Sequence, residues 1–181
     1  MNPTNPNKFV WELGDLRFCK IMTSYQVNVA GESYACTLMS MAGYDVSIQY
    51  GTTQPDWDIQ ASRKERDLKI SVKGSQDGGW GLFQNHLKNA NYHAALDSWL
   101  LVQPEKIVYL LVQFKDVMIG ESPRAYIARP PQIFEHMKTT RAGHAYTSLR
   151  ENYHYQKGIG AGYKDVIPES WKATQSRIDT I

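Results

Sequence analysis

Residues 106–114, KIVYLLVQF, constrain the fold more than any other part of the sequence. The run is apolar almost throughout and does not alternate between polar and apolar positions. A strand with this pattern is covered by other elements on both of its faces. We therefore predict a central strand here, in a sheet that is flanked by helices.

Weaker patterns on either side of this run predict the other elements. Strands are predicted at residues 44–50, 57–62, 68–74 and 124–128, and helices at residues 31–42, 84–99 and 131–140. Gly43 is expected to end the first helix. Strands that pair as a meander and are then crossed over by a helix give an α/β sandwich with a mixed sheet, in the order αβββαβ.

The length of 181 residues and the apolar fraction of 42% fit a single domain with a real core. We place that core at about residues 28–130. Residues 131–181 form a C-terminal extension, which we expect to be mostly helical or irregular. At the other end, residues 1–7 read as a loose end and residues 9–22 as a short helix or a packed arm.

Composition narrows the class of protein. The sequence has no apolar run long enough to span a bilayer, and its first residues lack the features of a secretory signal, so we expect a soluble cytoplasmic protein with no membrane partner. Cys19 and Cys36 are too few for a disulfide framework or a zinc site. Formal net charge is only +2, but residues 129–181 carry 8 Lys and Arg against 5 Asp and Glu. The extension, which is also rich in tyrosine, is therefore the basic part.

Polar side chains on two neighbouring strands predict a site. The period of two in residues 57–62 puts Asp58 on the face opposite Ile59, and the same rule puts Lys73 on the outward face of the next strand. Glu32, expected in the first turn of the preceding helix, can lean toward the same place. Two carboxylates and an ammonium would then converge, a combination that suits magnesium, with manganese as an alternative.

Three segments carry a resemblance to a known family. GESYA at residues 31–35, PDWDIQA at 55–61 and ISVKGSQ at 70–76 together resemble the PD-(D/E)XK nuclease superfamily. The resemblance implies a restriction-endonuclease-like core that hydrolyses phosphodiester bonds with magnesium. Glu32 matches the helix acid of the family, Asp58 its metal-binding aspartate and Lys73 its lysine.

The resemblance also implies details of the site. The backbone carbonyl of Val72 would be an additional metal ligand. Asp58 is preferred to Asp56 as the aspartate because apolar strand residues follow it, and Asp56 is the second choice. Many members act as dimers, so a homodimer is an option where both strands of DNA are cut.

One position departs from the family pattern. Ser71 stands where the family has Glu, Asp or sometimes Gln, two residues before the lysine. A hydroxyl is a weaker metal ligand than a carboxylate. Either the site works with fewer ligands, or Gln76 supplies the missing oxygen and joins the catalytic residues, or activity has been lost.

Further residues suggest contacts with nucleic acid. Trp80, in the glycine-rich stretch after Lys73, could stack on a base beside the site, or could pack in the core below a glycine turn. Basic residues alternate with tyrosines in the extension, as on a surface that contacts phosphates and bases, although a solvated face would look the same. The basic residues that we assign to nucleic-acid binding are Arg129, Lys138, Arg141 and Lys157, in a set that also contains Arg150 and Lys164.

The sequence therefore predicts a magnesium-dependent nuclease, most simply a DNA endonuclease, with RNA left open as a substrate. Glu32 and Asp58 would hold the metal while Lys73 assists the attacking water. The alternative is a catalytically inactive module on the same fold that binds nucleic acid or a protein partner.

Overall fold

The computed structural model describes residues 21–49 and 57–181, and within them the chain forms four α-helices and nine strands. In chain order these are α1 (Ser24–Met41), β1 (Asp45–Ile48), β2 (Ile59–Arg63), β3 (Arg66–Ser75), β4 (Gly79–Gly81), α2 (Tyr92–Leu101), β5 (Ile107–Gln113), β6 (Arg124–Ala128), α3 (Pro130–Gly143), β7 (Ser148–Arg150), β8 (Asn152–His154), β9 (Lys164–Val166) and α4 (Gln175–Thr180).

The centre of the molecule is a five-stranded mixed sheet with the strand order β1-β2-β3-β5-β6. Strands β3 and β5 are parallel, and the other neighbours in this sheet are antiparallel. All seven residues of β5 are buried, as the apolar run predicted. The α/β class and the mixed sheet flanked by helices are thus confirmed.

Two apolar cores cover the two faces of the sheet. On one face, α1 and α4 pack against alternate residues of the strands, such as Ile70 and Leu110. On the other face, α2 and α3 pack against the intervening positions, such as Tyr109 and Leu111. Because successive side chains of a strand point to opposite faces, this arrangement fixes the direction of every polar side chain on β2 and β3.

Helix α1 begins seven residues earlier than predicted. Thr23 caps it, accepting a hydrogen bond from the backbone of Gln26, whose side chain accepts one from Thr23 in return. Gly31, which reads as a helix start, instead lies where α1 packs closely on β3: a Cβ at Gly74 would come within 2.7 Å of the carbonyl oxygen of Val27. Glu32 therefore lies in the third turn of α1, and its predicted place in the first turn was wrong. Gly43, at φ +84°, follows the end of the helix as expected.

The predicted helix at residues 84–99 is also corrected. Only a 3₁₀ turn, Gln84–His86, forms at its start, and α2 begins at Tyr92. Asn89 and Ala90 take positive φ angles, which interrupt a helix, and the Asn91 side chain accepts a hydrogen bond from the N–H of Ala94 as a new cap. The buried side of α2 is formed by Ala95, Leu96 and Trp99, whereas Ala90 and Ala94, which share the helical spacing in the sequence, are exposed.

The C-terminal extension contains more strand than predicted. Strands β8 and β9 form a hairpin, and β7 pairs with β4, so the extension is joined to a segment that follows β3. Trp171 and Ile178 contribute to the two cores. The extension therefore packs on the sheet, and apart from these three short strands it is helical or irregular, as expected.

Among the described residues, no helix combines the length and hydropathy needed to cross a membrane. Cys36 is a free cysteine. Residues 1–7, most of the predicted arm at 9–22, Cys19 and Asp56 lie outside the described residues.

Candidate metal centre

Asp58 lies at the point where the pairing of β2 and β3 ends. Its backbone N–H donates to the carbonyl oxygen of Ile70 at 2.9 Å. Further along β3, its carboxylate Oδ2 accepts from the backbone N–H of Val72 at 2.7 Å and from the Ser71 hydroxyl at 3.4 Å. The Asp58 side chain thus takes the place of a backbone acceptor for the next free N–H of β3. Its other oxygen, Oδ1, has no hydrogen bond among the described residues and is free to bind a ligand.

Glu32, Asp58 and Lys73 come together in one cleft of about 300 Å³, which Val72 also lines. Burial raises the pKa of the Glu32 carboxyl, the negative charge of Asp58 raises it further, and the positive charge of Lys73 opposes both effects. These three side chains therefore lie within electrostatic reach of one another. The structure thus brings together Glu32, Asp58 and Lys73, which the sequence predicted to lie close to one another.

Val72 presents a backbone oxygen to the same cleft. Its N–H points toward Asp58, and the N–H and C=O of one residue in an extended strand point to the same edge of that strand. The Val72 carbonyl therefore faces the gap that opens beside β3 where β2 begins.

Ser71 is buried and points toward Asp58. It is 4% exposed, and its hydroxyl donates to the Asp58 carboxylate. Ser71 also lines a second cleft of about 340 Å³ with Gln103 and Tyr109, and this cleft shares Asp58 and Lys73 with the first. The serine thus supplies a hydrogen-bond donor at the place where a third carboxylate would add negative charge.

The oxygen donors of the cleft are of the type that hard divalent cations such as magnesium and manganese take. In residues 21–49 and 57–181, no three His, Cys, Asp or Glu side chains come together as a metal-binding group. Glu32, Asp58 and the Val72 carbonyl instead offer a small set of hard oxygens. Magnesium is commonly held by one or two carboxylates, with waters and substrate phosphates completing its shell.

Two predicted site residues have other roles. The Gln76 amide accepts from the N–H of Met22 at 2.9 Å and donates to the carbonyl of Met22 at 2.6 Å, so it clasps the segment before α1 and does not supply the missing metal oxygen. Trp80 is 2% exposed, and its indole N–H donates to the carbonyl of Val112. A buried ring cannot stack on a base, so its assignment to nucleic-acid binding is corrected to a core role.

The four basic residues assigned to nucleic-acid binding are scattered. Arg129 lies beside Arg177 at the end of β6, three strands from Asp58. Lys138 pairs with Glu135 on the surface of α3, and Lys157 is exposed after β8. None of these three lines either cleft. Arg141 is half-buried at the end of α3, where its Nε donates to the carbonyl of Ile159.

Sequence reasoning missed the far wall of the first cleft. Gly79, Trp80 and Gly81 of β4 form this wall, held in place by the pairing of β4 with β7. Asn28 also lines the cleft, one helical turn before Glu32. Spacing of four between Asn28 and Glu32 was the available signal for the asparagine. No local signal marks the pairing of β4 with β7, because its strands are distant in sequence.

Comparison of the chain with protein-family models, with curated proteins and with solved structures gave no match in any of the three.

Proposed function

We propose that the protein is a magnesium-dependent nuclease of the PD-(D/E)XK kind that hydrolyses phosphodiester bonds of DNA. One observation carries the proposal: Glu32, Asp58 and Lys73 line one cleft together with the backbone of Val72. Support also comes from the order of a helix, three strands, a helix and two strands around a mixed sheet, which fits a restriction-endonuclease-like core.

Each residue has a role in this proposal. Glu32, Asp58 and the Val72 carbonyl would hold magnesium, which supplies charge for the phosphate oxygens and lowers the pKa of bound water. Lys73 forms no ion pair among the described residues, so its ammonium is available to orient the attacking water or to offset charge in the transition state. The water oxygen bonds to phosphorus, and the ester bond to the leaving oxygen breaks. That oxygen takes a proton.

The asymmetry of Asp58 supports this division of work. Oδ2 is held by Val72 and Ser71, which fixes the carboxylate, while Oδ1 is directed away from those partners. A ligand oxygen that is positioned by backbone hydrogen bonds needs little reorganisation on binding metal.

The test is hydrolysis of plasmid DNA in magnesium and in EDTA. We expect nicking or cutting with magnesium only, and loss of activity by at least about a hundredfold in Asp58→Asn and in Lys73→Met. Lys69→Met is a matched control, since Lys69 lies on the same strand and face but sits over the Trp57 ring at 3.8 Å. Full activity in Asp58→Asn or Lys73→Met would overturn the assignment. Light scattering of the protein on DNA would show whether two copies act together.

A second function is favoured by Ser71. With a hydroxyl in place of a third carboxylate, the cleft holds fewer charges for metal, as in a module that binds nucleic acid or a protein partner without cleaving it. Such a module would retain DNA in a salt-sensitive manner, cut nothing, and give no calorimetric signal with magnesium or manganese.

A further inference from the structure

Two arginines and four tyrosines form a continuous stack beside the first cleft. The guanidinium of Arg141 lies 5.6 Å from the ring centroid of Tyr92 and 5.1 Å from that of Tyr146. The guanidinium of Arg150 lies 5.8 Å from the Tyr146 centroid and 5.0 Å from that of Tyr153. Tyr153 in turn packs edge-on against Tyr155. We call these six residues the Arg–Tyr stack.

Both arginines lie over glycines that leave room for them. A Cβ at Gly79 would come within 2.8 Å of Arg150 Nη1, and a Cβ at Gly160 would come within 2.8 Å of Arg141 Cγ. Aromatic rings and glycine backbone together hold each guanidinium in one orientation. This reduces the side-chain entropy that either arginine would lose on binding a ligand.

The charge of these arginines is not neutralised nearby. Neither guanidinium forms an ion pair among the described residues, and Arg141 Nη1 and Arg150 Nε are buried without a hydrogen-bond partner there. A cation whose buried N–H groups lack partners is costly for the fold, and an anion bound at the accessible atoms of the same half-buried side chain would offset its charge.

Two acids near the stack bind groups other than its guanidiniums. Glu151 accepts from the Arg124 side chain at 2.7 and 3.0 Å and from the Tyr126 hydroxyl. Asp165 accepts from the Tyr155 hydroxyl and from the backbone N–H of Arg141. The stack therefore presents two guanidinium groups that form no ion pair with a carboxylate among the described residues.

The stack meets the wall of the candidate metal centre at Arg150. Arg150 is the register partner of Gly79 in the pairing of β7 with β4, and Gly79 lines the cleft with Asp58 and Lys73. Next to Arg150 in the stack, Tyr153 is 44% exposed. Cations and aromatic rings thus lead from the open surface to the cleft.

We infer that the Arg–Tyr stack binds the phosphodiester backbone of the nucleic-acid strand that enters the cleft. Guanidinium groups bind phosphate oxygens in a bidentate manner, and exposed tyrosine rings stack on bases or sugars. The identity of this polyanion rests on the proposed function. The inference replaces a broad basic surface by one track, made by Arg141, Arg150 and Tyr153.

The test measures the affinity of a short fluorescent DNA oligonucleotide by anisotropy in EDTA, where cleavage does not occur. We expect Arg150→Gln and Arg141→Gln each to weaken binding about tenfold and to lower the slope of log affinity against log salt by about 1. Tyr153→Ala, at a half-exposed position, should weaken binding about fivefold with a smaller change of slope.

Lys106→Gln is the matched control, because it removes an exposed charge just before β5, at the opposite end of the sheet. It should leave affinity and slope close to those of the unchanged protein. Arg150→Lys keeps the charge and covers the case in which Arg150→Gln fails to fold; we expect it to weaken binding while keeping the slope. Thermal melting verifies the fold of each variant.

The results separate this inference from the proposed function. Unchanged affinity and slope in Arg150→Gln would overturn the inference, and so would unchanged affinity in both Arg150→Lys and Tyr153→Ala. Absence of DNA binding by the unchanged protein would also overturn it. These outcomes hold whether or not magnesium supports cleavage. Stack-dependent binding without any cleavage in magnesium would sustain the inference and reject the nuclease.

Discussion

The backbone N–H of Val72 donates to Oδ2 of Asp58 at 2.7 Å. This bond sits at the end of the pairing of β2 with β3, so one carboxylate both completes the sheet and faces the cleft. An aspartate in this place is fixed by the fold before any ligand arrives. The stability of the fold and the proposed metal binding thus depend on the same side chain, and the following measurements can separate the two.

Asp58→Ala should destabilise the protein, whereas Asp58→Asn should do so less. Alanine leaves the N–H of Val72 without its acceptor, at a cost of about 1–3 kcal/mol, while asparagine keeps an acceptor oxygen. Denaturant unfolding in EDTA measures the difference. Equal stability of Asp58→Ala and the unchanged protein would mean that the bond contributes nothing to the fold.

Glu32→Gln should raise the melting temperature in the absence of metal. The pKa of Glu32 is raised in the folded state, so the unfolded chain releases this proton at lower pH. Stability is therefore lost as pH rises from about the ordinary value of 4.5 through the raised pKa, and glutamine removes this loss. Below that window the variant and the unchanged protein should be alike.

Magnesium should reverse the order of these two proteins. A ligand that binds the folded state raises its stability, so magnesium should stabilise the unchanged protein and have little effect on Glu32→Gln. Glu65→Gln, an exposed acid in the turn between β2 and β3, is the control and should respond to magnesium normally. Equal magnesium shifts in all three proteins would argue against Glu32 as a ligand.

Ser71→Asp should strengthen magnesium binding by roughly tenfold, because affinity for hard cations rises with the number of charged ligands. Without metal it should destabilise the protein, since a second carboxylate would then lie buried next to Asp58. Calorimetry and melting curves with and without magnesium test both halves. Ser71→Asn, of similar shape but neutral, is the control, and identical magnesium affinities in the two variants would contradict the prediction.

Gly74→Ala should lower the free energy of unfolding by about 1–3 kcal/mol and also reduce cleavage. Its Cβ would lie 2.7 Å from the carbonyl oxygen of Val27, so α1 would have to move away from β3 and take Glu32 with it. Gly31→Ala is a matched control on the opposite side of the same contact, where the closest atom is 3.4 Å away. Unfolding and plasmid-cleavage assays compare the two variants. Equal effects of Gly74→Ala and Gly31→Ala would argue against a specific contact at Gly74.

His136→Phe should remove part of the acid sensitivity of the fold. The His136 ring packs on Trp171 at 5.3 Å between centroids, its Nε2 is buried without a partner among the described residues, and burial lowers its pKa against an opposing effect of Asp165. The unfolded state thus binds this proton first, and stability falls as pH drops below about 6.5 through the lowered pKa.

In the His136→Phe variant, the loss of stability that titration of His136 causes at low pH should be absent. Stability at higher pH should be kept or increased. Unfolding at a series of pH values measures the change. His144→Gln, an exposed position after α3, should keep the pH dependence of the unchanged protein. An unaltered profile in His136→Phe would show that another group causes the acid sensitivity.

Local patterns predicted the parts of the fold that depend on alternation along one strand. Ile59 and Ala61 are fully buried while Asp58 faces the cleft, because one buried face fixes the phase of β2. The buried run of β5 was equally clear. These patterns were sufficient to bring Asp58 and Lys73 together.

The errors arose where a residue has its role through a distant contact. Gly31 looks like the start of a helix, yet it lies inside α1, where Gly74 of β3 approaches it closely. Trp80 looks like a free aromatic ring in a glycine loop, yet Leu149 pairs opposite it and encloses it. Gln76 looks like a spare ligand, yet it binds the backbone of Met22. No local pattern encodes these partners.

The pairing of β4 with β7 has a consequence for synthesis. A ribosome makes Glu32, Asp58 and Lys73 early, but the strand that supports the cleft wall is made only after α2, β5, β6 and α3. A nascent chain therefore carries the acids and the lysine well before it can hold Gly79 and Arg150 side by side. The cleft reaches its final shape only after translation has passed Arg150.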